Sequence, residues 1–423
     1  MSRRLAYSVL AIVCAAPRLG VLLHERGAIT ASFTEKSDII ARMFVDHGTF
    51  GFVPGAPSAY TQPLYAWFLI PIYWILGAHW WAIGSVQILV AVATAWLVFE
   101  IGRRVIGSRA GLAAAVIATL NPYLVWHDVH VNREILDQLV AAALVLLTIV
   151  VVERPRLHWA ALLGVVTGVA MLGNSRLVFL PIVCALYIAW YLPRARVAVL
   201  ASALVLAGAA VAVAPWLVRN KVSVGCWALT TDGRAMWKAN NPRTYDLLSS
   251  GQWIDNVGPN PPRPKGRGRL TPEEANGYWI KTSGRLAFHP DECAQMRFYQ
   301  DLALDWWGEH PGDKGRLMAL SAKLLWQPNV LETADRNGAG GQLDVGRRLI
   351  EPAYMWVVYV LAAAGLFIAP RRFVVLALLL LAYQTAAALA FVGATRYRVA
   401  WDFLLAILAA AALARLAARV RMR

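Results

Sequence analysis

The sequence predicts an all-α, polytopic membrane protein with about ten transmembrane helices, and three features of the chain indicate this fold class. Apolar residues make up 58% and charged residues only 16% of its 423 residues, which is more apolar surface than one water-soluble core can bury. Apolar runs long enough to cross ~30 Å of hydrocarbon recur along the chain, and arginines cluster between them. The predicted spans lie near residues 5–23, 80–101, 110–127, 135–152, 158–173, 177–192, 197–217, 351–369, 373–391 and 399–417.

The arginine clusters account for most of the net charge of +16 and set the topology. With a cytoplasmic N-terminus, the clusters fall on the cytoplasmic side and hold 15 of the 41 Lys and Arg residues, against two acids, Glu100 and Glu153. This positive-inside asymmetry predicts a multi-pass protein of the plasma (inner) membrane with both termini in the cytoplasm, and no nucleic-acid partner. The clusters are Arg3/Arg4, Arg103/Arg104/Arg109, Arg154/Arg156, Arg194/Arg196, Arg371/Arg372 and Arg415/Arg419/Arg421/Arg423.

The segment from Pro63 to Gly77 is apolar but is predicted not to cross the membrane. If it crossed, every later loop would change sides and the arginine clusters would face outward, against the charge rule. Its short length, its central Pro71 and its interface-favouring aromatic residues fit a helix at the outer membrane surface. A second such helix is predicted from about Lys36 to His47, because apolar residues recur there at helical spacing.

The first apolar run has one alternative interpretation. Ser-Arg-Arg followed by about 12 apolar residues and Cys14-Ala-Ala also resembles a secretory signal. The apolar stretch continues to Leu23, which is longer than a typical signal core, and Arg18 can extend toward the outer interface. We therefore interpret this run as a transmembrane span.

The chain divides into three predicted parts. Residues 1–217 form an N-terminal transmembrane module whose first outer loop covers 24–79, residues 218–350 form a mixed extracytoplasmic domain, and residues 351–423 form the C-terminal transmembrane helices. The middle part is rich in Gly, Pro, Asn and Trp, and it becomes helical in pattern from about 271 to 326. Its two cysteines, Cys226 and Cys293, face the oxidising side and are candidates for a disulfide.

Ionisable residues at the predicted outer surface are the candidate functional residues, because a charge at that depth is costly and usually has a task or a partner. Taken singly, each has a simpler interpretation as a solvated carboxylate or as an arginine that extends to the interface. Their shared location favours a reaction that needs a base and an anion-binding site. The candidates are Glu35 and Asp38, Asn132, Arg133 and Glu134, Arg176 in the turn GNSR, and Arg396 and Arg398 on either side of Tyr397.

Metal binding is a weaker interpretation. His127, Asp128 and His130 have a spacing compatible with metal ligation, but interfacial histidines are commoner than ligands. The sequence contains no metal-ligand cysteine cluster and no glycine-rich phosphate loop. We therefore assign no metal site and no cofactor, while a divalent metal stays open as an alternative.

Seven stretches, spread over nearly the whole chain, carry a resemblance to a known family. They are SFTEKSDIIARMFVDHGTFGF, SAYTQPLYAWFLIPIYWILG, VNREILDQLV, GVVTGVAMLGNSRLVFLP, APWLVRNKVSVG, TTDGRAMWKANNP and ATRYRVAWDFL. In their order they resemble the bacterial polyprenyl-phosphate-sugar glycosyltransferases of the GT-C fold, relatives of the protein O-mannosyltransferases and the lipid A aminoarabinose transferase. The resemblance implies a GT-C-like fold with outer-surface juxtamembrane helices.

The resemblance also implies an activity. A sugar would pass, with inversion at the anomeric carbon, from a polyprenyl-phosphate carrier to an acceptor on a glycolipid, polysaccharide or protein outside the cytoplasm. Two other functions stay open, namely a transporter or lipid flippase and a non-catalytic assembly protein that binds lipid carriers. A transporter predicts ionisable or helix-breaking residues near mid-membrane, whereas the acids here cluster at one surface.

Residue roles follow from the same resemblance. The family's catalytic acid precedes a Tyr and an Ala, but here Ile39 or Ile40 stands in place of the Tyr, so either Glu35 or Asp38 matches the acid. Asp38 is favoured because it opens the apolar-periodic helix. The remaining assignments are donor-phosphate binding for Arg396, Arg398, Arg176 and Arg219, and substrate binding for Asn132, Arg133, Glu134 and Tyr397.

Overall fold

The computed structural model describes residues 2–31, 36–254, 257, 281–282, 285–286, 291–328 and 349–421. The strands in this part of the chain form two antiparallel pairs, β1 (Gly51–Val53) with β2 (Ala56–Pro57) and β3 (Lys281–Thr282) with β4 (Arg285–Leu286). The helices are α1 (Arg3–Glu25), α2 (Ala28–Ala31), α3 (Lys36–His47), α4 (Pro63–Leu76), α5 (Trp80–Ile106), α6 (Ser108–Thr119), α7 (Pro122–His127), α8 (Glu134–Glu153), α9 (Leu157–Gly173), α10 (Leu180–Tyr191), α11 (Ala195–Ser223), α12 (Gly233–Ala239), α13 (Thr244–Ser249), α14 (Glu292–Glu309), α15 (Pro311–Trp326), α16 (Glu351–Gly365), α17 (Arg371–Ala390), α18 (Thr395–Arg398) and α19 (Asp402–Arg421).

The helices include six, within the described residues, that are long and apolar enough to cross a membrane. This confirms a multi-pass membrane protein, while the count of ten spans stays a prediction. The six are Arg3–Glu25, Trp80–Ile106, Glu134–Glu153, Ala195–Ser223, Arg371–Ala390 and Thr395–Val420. Shorter apolar helices accompany them at Pro63–Leu76, Ser108–Thr119, Leu157–Gly173 and Ser175–Tyr191.

The predicted span near residues 110–127 is not one helix. Helix α6 ends at Thr119 and α7 begins at Pro122. The Asn121 side chain accepts a hydrogen bond from the Tyr123 amide at 3.1 Å, and thereby caps the new helix. Proline is favoured at the first helical position, because it has no N–H group that would need a partner there. The run therefore divides because its sequence contains both a cap and a helix start.

The first loop (residues 24–79) has the two helices that the sequence predicts. Helix α3 covers Lys36–His47, and α4 covers Pro63–Leu76. The 14 residues of α4 rise about 21 Å, which is less than the ~30 Å thickness of the hydrocarbon. Trp74 near its end is 79% exposed. These features fit the prediction that α4 lies along the membrane surface.

Two apolar helices, α9 and α11, approach closely where small residues face each other. A Cβ atom on Gly164 of α9 would lie 2.4 Å from the Val205 carbonyl oxygen, and one on Gly208 of α11 would lie 2.7 Å from the Ala161 oxygen. Only glycine fits at such separations. Small residues at the interface are the usual way for membrane helices to pack backbone against backbone.

A buried ion pair joins α1 to the segment after α7. Arg18 is 1% exposed, and its Nε and Nη2 donate to Asp128 Oδ2 at 2.9 and 2.7 Å. Gln138 Nε2 donates to the other Asp128 oxygen at 2.9 Å. The expectation that Arg18 extends to the interface was therefore wrong, because Asp128 offers it a partner inside the bundle.

The large loop (residues 218–350) begins within a helix, since α11 continues to Ser223. Cys226 and Cys293 form a disulfide, which confirms the predicted pairing. Lys314 of α15 donates to the Asn240 side chain at 2.7 Å and to the Leu389 carbonyl oxygen at 2.8 Å. Burial lowers the pKa of Lys314 to about 8. Helix α15 is thereby fixed to the end of α17, so the large loop packs on one end of the bundle.

Candidate active site

A polar cavity of about 220 Å³ lies where the first loop, the large loop and the bundle meet. Four basic side chains line it, and Asp232 is the acidic residue in its lining. Aromatic rings, neutral polar groups and the apolar residues Ala235, Met236 and Ile254 complete the wall. The basic residues are Lys36, Arg133, Arg176 and Arg396, the aromatic ones Trp253, Phe391 and Tyr397, and the neutral polar ones Thr61, Gln62, Asn174, Ser175 and Thr230. A cavity of this composition suits an anion that carries a polar group with an apolar face.

Arg176 is held in the cavity wall by a local turn. The Asn174 side chain accepts a hydrogen bond from the Arg176 amide at 3.2 Å and so starts the 3-10 turn Ser175–Leu177. Tyr383 donates its hydroxyl to the Arg176 carbonyl oxygen at 2.7 Å. The Asn-Ser-Arg sequence of the predicted turn therefore sets the direction of the arginine side chain.

The guanidinium group of Arg176 has aromatic neighbours and a carbonyl partner. Its carbon lies 3.6 Å from the Tyr397 ring centre and 5.5 Å from that of Phe391, and Nη1 donates to the Val392 oxygen at 3.2 Å. Within the described residues, no carboxylate pairs with it. Arg133 and Arg396 act on it as neighbouring like charges. The site therefore holds a partly buried cation that an anion would stabilise.

A second group joins the last turn to the start of α8. Arg396 Nε and Nη2 both donate to Glu134 Oε1, at 2.8 Å each. Just before α8, the Asn132 side chain accepts a hydrogen bond from the Glu134 amide at 3.1 Å, while Arg133 donates to Gln62 Oε1 at 3.1 Å. Glu134 Oε2 is buried without a hydrogen-bond partner in the described part of the chain. The structure thus brings together six of the candidate residues, namely Asn132, Arg133, Glu134, Arg176, Arg396 and Tyr397.

Arg398 and Arg219, two further predicted phosphate ligands, lie outside the lining. Arg398 is 1% exposed and pairs with Asp402, with Nε 2.9 Å from Oδ1. Arg219 donates to the carbonyl oxygens of Ser58 and Phe50, at 2.8 and 3.0 Å. The first arginine therefore stabilises the start of α19, and the second fixes the backbone of the first loop. The sequence could not separate them from Arg396, because all three are arginines near helix ends.

Of the two candidate acids of the first loop, the structure describes Asp38. Asp38 accepts hydrogen bonds from Arg42 Nε at 3.0 Å and from the Tyr73 hydroxyl, and it does not line the cavity. Burial and the neighbouring Asp38 raise the pKa of Tyr73, so this tyrosine stays a hydrogen-bond donor. Glu35 lies outside the described residues. It directly precedes Lys36, whose side chain lines the cavity.

The Lys36–Asp232 ion pair, at 3.0 Å, was not identified from the sequence. Asp232 also accepts a hydrogen bond from the Ala235 amide at 3.0 Å, and so caps α12. The signal was present in TTDGRAMWKA, where an aspartate precedes a helical run, but a cap alone does not indicate a site. The partner of Asp232 comes from a helix start almost 200 residues earlier, which only the tertiary structure shows.

His127, Asp128 and His130 have other roles in the described structure than joint metal ligation. His127 stacks on Tyr123 with ring centres 3.9 Å apart, and His130 Nδ1 lies 2.8 Å from the Trp126 oxygen. Asp128 pairs with Arg18. No group of three or more His, Cys, Asp or Glu side chains suited to a metal occurs within the described residues.

A family comparison covers the middle of the N-terminal module. Residues 57–218 match the family described as dolichyl-phosphate-mannose-protein mannosyltransferase. This stretch includes Gln62, Arg133, Glu134 and Arg176 of the cavity region. The match confirms the resemblance to the protein O-mannosyltransferases over these residues. No curated protein sequence matches the chain.

Solved structures share the fold of the chain. The archaeal oligosaccharyltransferase AglB from Archaeoglobus fulgidus, in complex with an inhibitory peptide and a dolichol-phosphate, is similar with a TM-score of 0.54 at 10% identity, over 98% of this chain and 51% of that one. The apo form of the Archaeoglobus fulgidus oligosaccharyltransferase gives 0.53 at 11% identity, again over 98% and 51%. The chain therefore spans about half the length of these proteins, and the GT-C-like fold is confirmed. ArnT from Cupriavidus metallidurans, bound to undecaprenyl phosphate, gives 0.43 at 15% identity over 98% and 78%, which is too low to support a structural argument.

Proposed function

We propose that the protein is a glycosyltransferase that moves a sugar from a polyprenyl-phosphate carrier to an acceptor on the extracytoplasmic side of the plasma membrane. The observation that carries this proposal is Arg176, a cation in a 220 Å³ cavity with no carboxylate partner in the described structure. A partly buried charge without a counterion is costly, and a phosphate bound there would remove that cost. The matched family, whose description names a phosphate-linked sugar donor, supports the same ligand class.

The charges of the cavity suit the course of the transfer. The donor is a phosphodiester with one negative charge, and the departing polyprenyl phosphate carries a second charge as its bond to the sugar breaks. Arg176 and the nearby Arg396 and Arg133 lie where they can stabilise this developing charge. Guanidinium groups remain charged throughout and bind phosphate oxygens in pairs.

In this proposal, the sugar binds against the aromatic part of the cavity wall. The rings of Trp253 and Tyr397 both line the cavity, with centres 6.3 Å apart. Aromatic rings offer an apolar surface to the C–H face of a sugar, while Asp232, Thr61 and Thr230 offer hydrogen-bond partners to its hydroxyl groups.

A carboxylate of the first loop serves as the general base. The acceptor oxygen bonds to the anomeric carbon, its proton passes to the carboxylate, and the bond from the anomeric carbon to the phosphate oxygen breaks with its electron pair on the phosphate. We assign this role to Glu35 in preference to Asp38. Asp38 already accepts hydrogen bonds from Arg42 and Tyr73 away from the cavity lining, whereas Glu35 is the sequence neighbour of Lys36, which lines it.

Binding of undecaprenyl phosphate, the carrier part of the donor, tests the proposal directly. Purified protein in lipid nanodiscs is titrated with undecaprenyl phosphate, and Arg176→Met is compared with the wild type. Loss of a hydrogen bond to a charged group costs about 1.5–3 kcal/mol, so we expect binding about 10- to 100-fold weaker. Arg371→Met is the matched control, since Arg371 is exposed far from the cavity lining. If Arg176→Met and the wild type bind undecaprenyl phosphate with equal affinity, the phosphate does not bind in this cavity.

Transfer assays test the base. Glu35→Gln should reduce the rate of sugar transfer from a polyprenyl-phosphate donor by ~10² to 10⁴ while donor binding persists. Asp38→Asn should reduce it less, because Asp38 already bonds to Arg42 and Tyr73 and does not line the cavity. The reverse result would exchange the two roles. Full activity in both variants would show that this loop does not supply the base, and binding without any transfer would favour a carrier-binding assembly protein.

A further inference from the structure

Glu292, at the start of α14, is a buried carboxylate that the proposed chemistry does not use. It is 3% exposed, and no basic side chain pairs with it within the described residues. Its Oε2 atom accepts two hydrogen bonds, from the Ala59 amide at 3.0 Å and from the Thr231 hydroxyl at 2.8 Å. A buried polar side chain is expensive unless it is hydrogen-bonded, and these two hydrogen bonds are the contacts of Glu292 in the described structure that offset this cost.

Its two donors belong to different parts of the chain. Ala59 lies in the first loop and Thr231 in the large loop. These segments also bond to each other, because the Thr231 amide donates to the Ala59 oxygen at 2.9 Å and the Thr230 hydroxyl donates to the Tyr60 oxygen at 2.7 Å. Glu292 therefore closes a joint between the two loops.

The joint continues directly into the cavity wall. Thr61 and Gln62 come directly after the first-loop segment of the joint, and Thr230 and Asp232 belong to its large-loop segment. All four residues line the cavity. A displacement at the joint would therefore move residues of both loops that line the cavity.

The helix that carries Glu292 is itself held firmly. The next residue, Cys293, forms the disulfide with Cys226. A Cβ atom on Gly233 would lie 2.3 Å from the Met296 carbonyl oxygen, so α12 and α14 meet backbone to backbone at this point. Glu292 therefore belongs to a firmly held helix rather than to a mobile loop.

We propose that Glu292 is a positioning residue for the sugar-donor cavity, which it shapes by holding Ala59 and Thr231 together. The inference rests on the proposed function, because it takes the cavity as the donor site. A side-chain oxygen suits the task, since both partners are hydrogen-bond donors and one oxygen can accept from both.

Two substitutions separate positioning from simple stability. Glu292→Leu has no acceptor, so the two walls lose their common anchor, and the rate of sugar transfer should fall about 10- to 100-fold, as for a misplaced reacting group. Glu292→Gln keeps an acceptor oxygen and should retain most of the wild-type rate. Hydrogen exchange should increase in a peptide covering residues 229–237 in Glu292→Leu, and remain at the wild-type level in Glu292→Gln.

If Glu292→Leu fails to fold, Thr231→Val tests the same joint, because it removes one hydrogen-bond donor and leaves the carboxylate in place. It should lower the transfer rate, and the double variant Thr231→Val/Glu292→Gln should lose no more than Thr231→Val alone. Wild-type transfer rates in folded Glu292→Leu and Thr231→Val would overturn the inference while the proposed function stands. A wild-type protein that binds no undecaprenyl phosphate would overturn both.

Discussion

Replacement of Arg398 by Met tests whether the two arginines of the last turn have different tasks. Arg398 Nε lies 2.9 Å from Asp402 Oδ1 and Nη2 lies 3.4 Å from Oδ2, while Nη1 donates to the Leu325 and Gln327 oxygens at 2.8 and 2.9 Å. Methionine fills similar space but leaves Asp402, itself 5% exposed, as a buried charge without its partner. Removing one member of such a pair costs ~3–5 kcal/mol of folding free energy.

The assay is thermal unfolding of the purified protein, followed by tryptophan fluorescence. We expect Arg398→Met to lower the apparent midpoint clearly and to leave the affinity for undecaprenyl phosphate unchanged at temperatures where the protein is folded. Arg398→Met/Asp402→Leu should recover much of the loss, because both charges are then gone. Arg176→Met should behave in the opposite way, with a midpoint near that of the wild type and weakened donor binding. An Arg398→Met protein that is as stable as the wild type but binds the donor poorly would refute the reasoning.

Three further predictions concern topology, redox state and pH. Cysteine-accessibility labelling should find residues substituted at Ser108 and Ser249 on opposite sides of the membrane, and labelling on one side would contradict the positive-inside assignment. Mass mapping without reductant should recover a peptide linked through Cys226 and Cys293, whereas two free thiols would exclude the bond. The pKa of Lys314 is lowered to about 8 in the folded state and is near 10.4 in an unfolded chain, so between these values the unfolded state binds more protons. Stability relative to Lys314→Met should therefore rise from about pH 8 to about pH 10, and a flat difference in unfolding midpoint would contradict the burial of its charge.

Much of the fold follows from local patterns that a sequence displays. Helix Lys36–His47 forms where apolar residues recur at helical spacing, and helix Pro63–Leu76 forms over the short apolar run that the charge argument predicts not to cross the membrane. The break at Asn121 was missed because hydropathy averages over a window, and the cap that ends one helix and starts the next is a single side chain.

For the candidate site too, the sequence predicts some features and only the tertiary structure shows others. The sequence by itself determined which charged residues lie near helix ends, and hence that Glu134, Arg176 and Arg396 are candidates. Only the tertiary structure decided that Arg396 pairs with Glu134 at the cavity while Arg398, two residues later, is buried against Asp402. The physical reason is that charge and apolarity belong to each residue alone, whereas an ion pair between residues 134 and 396 depends on how whole helices pack, which no local pattern encodes.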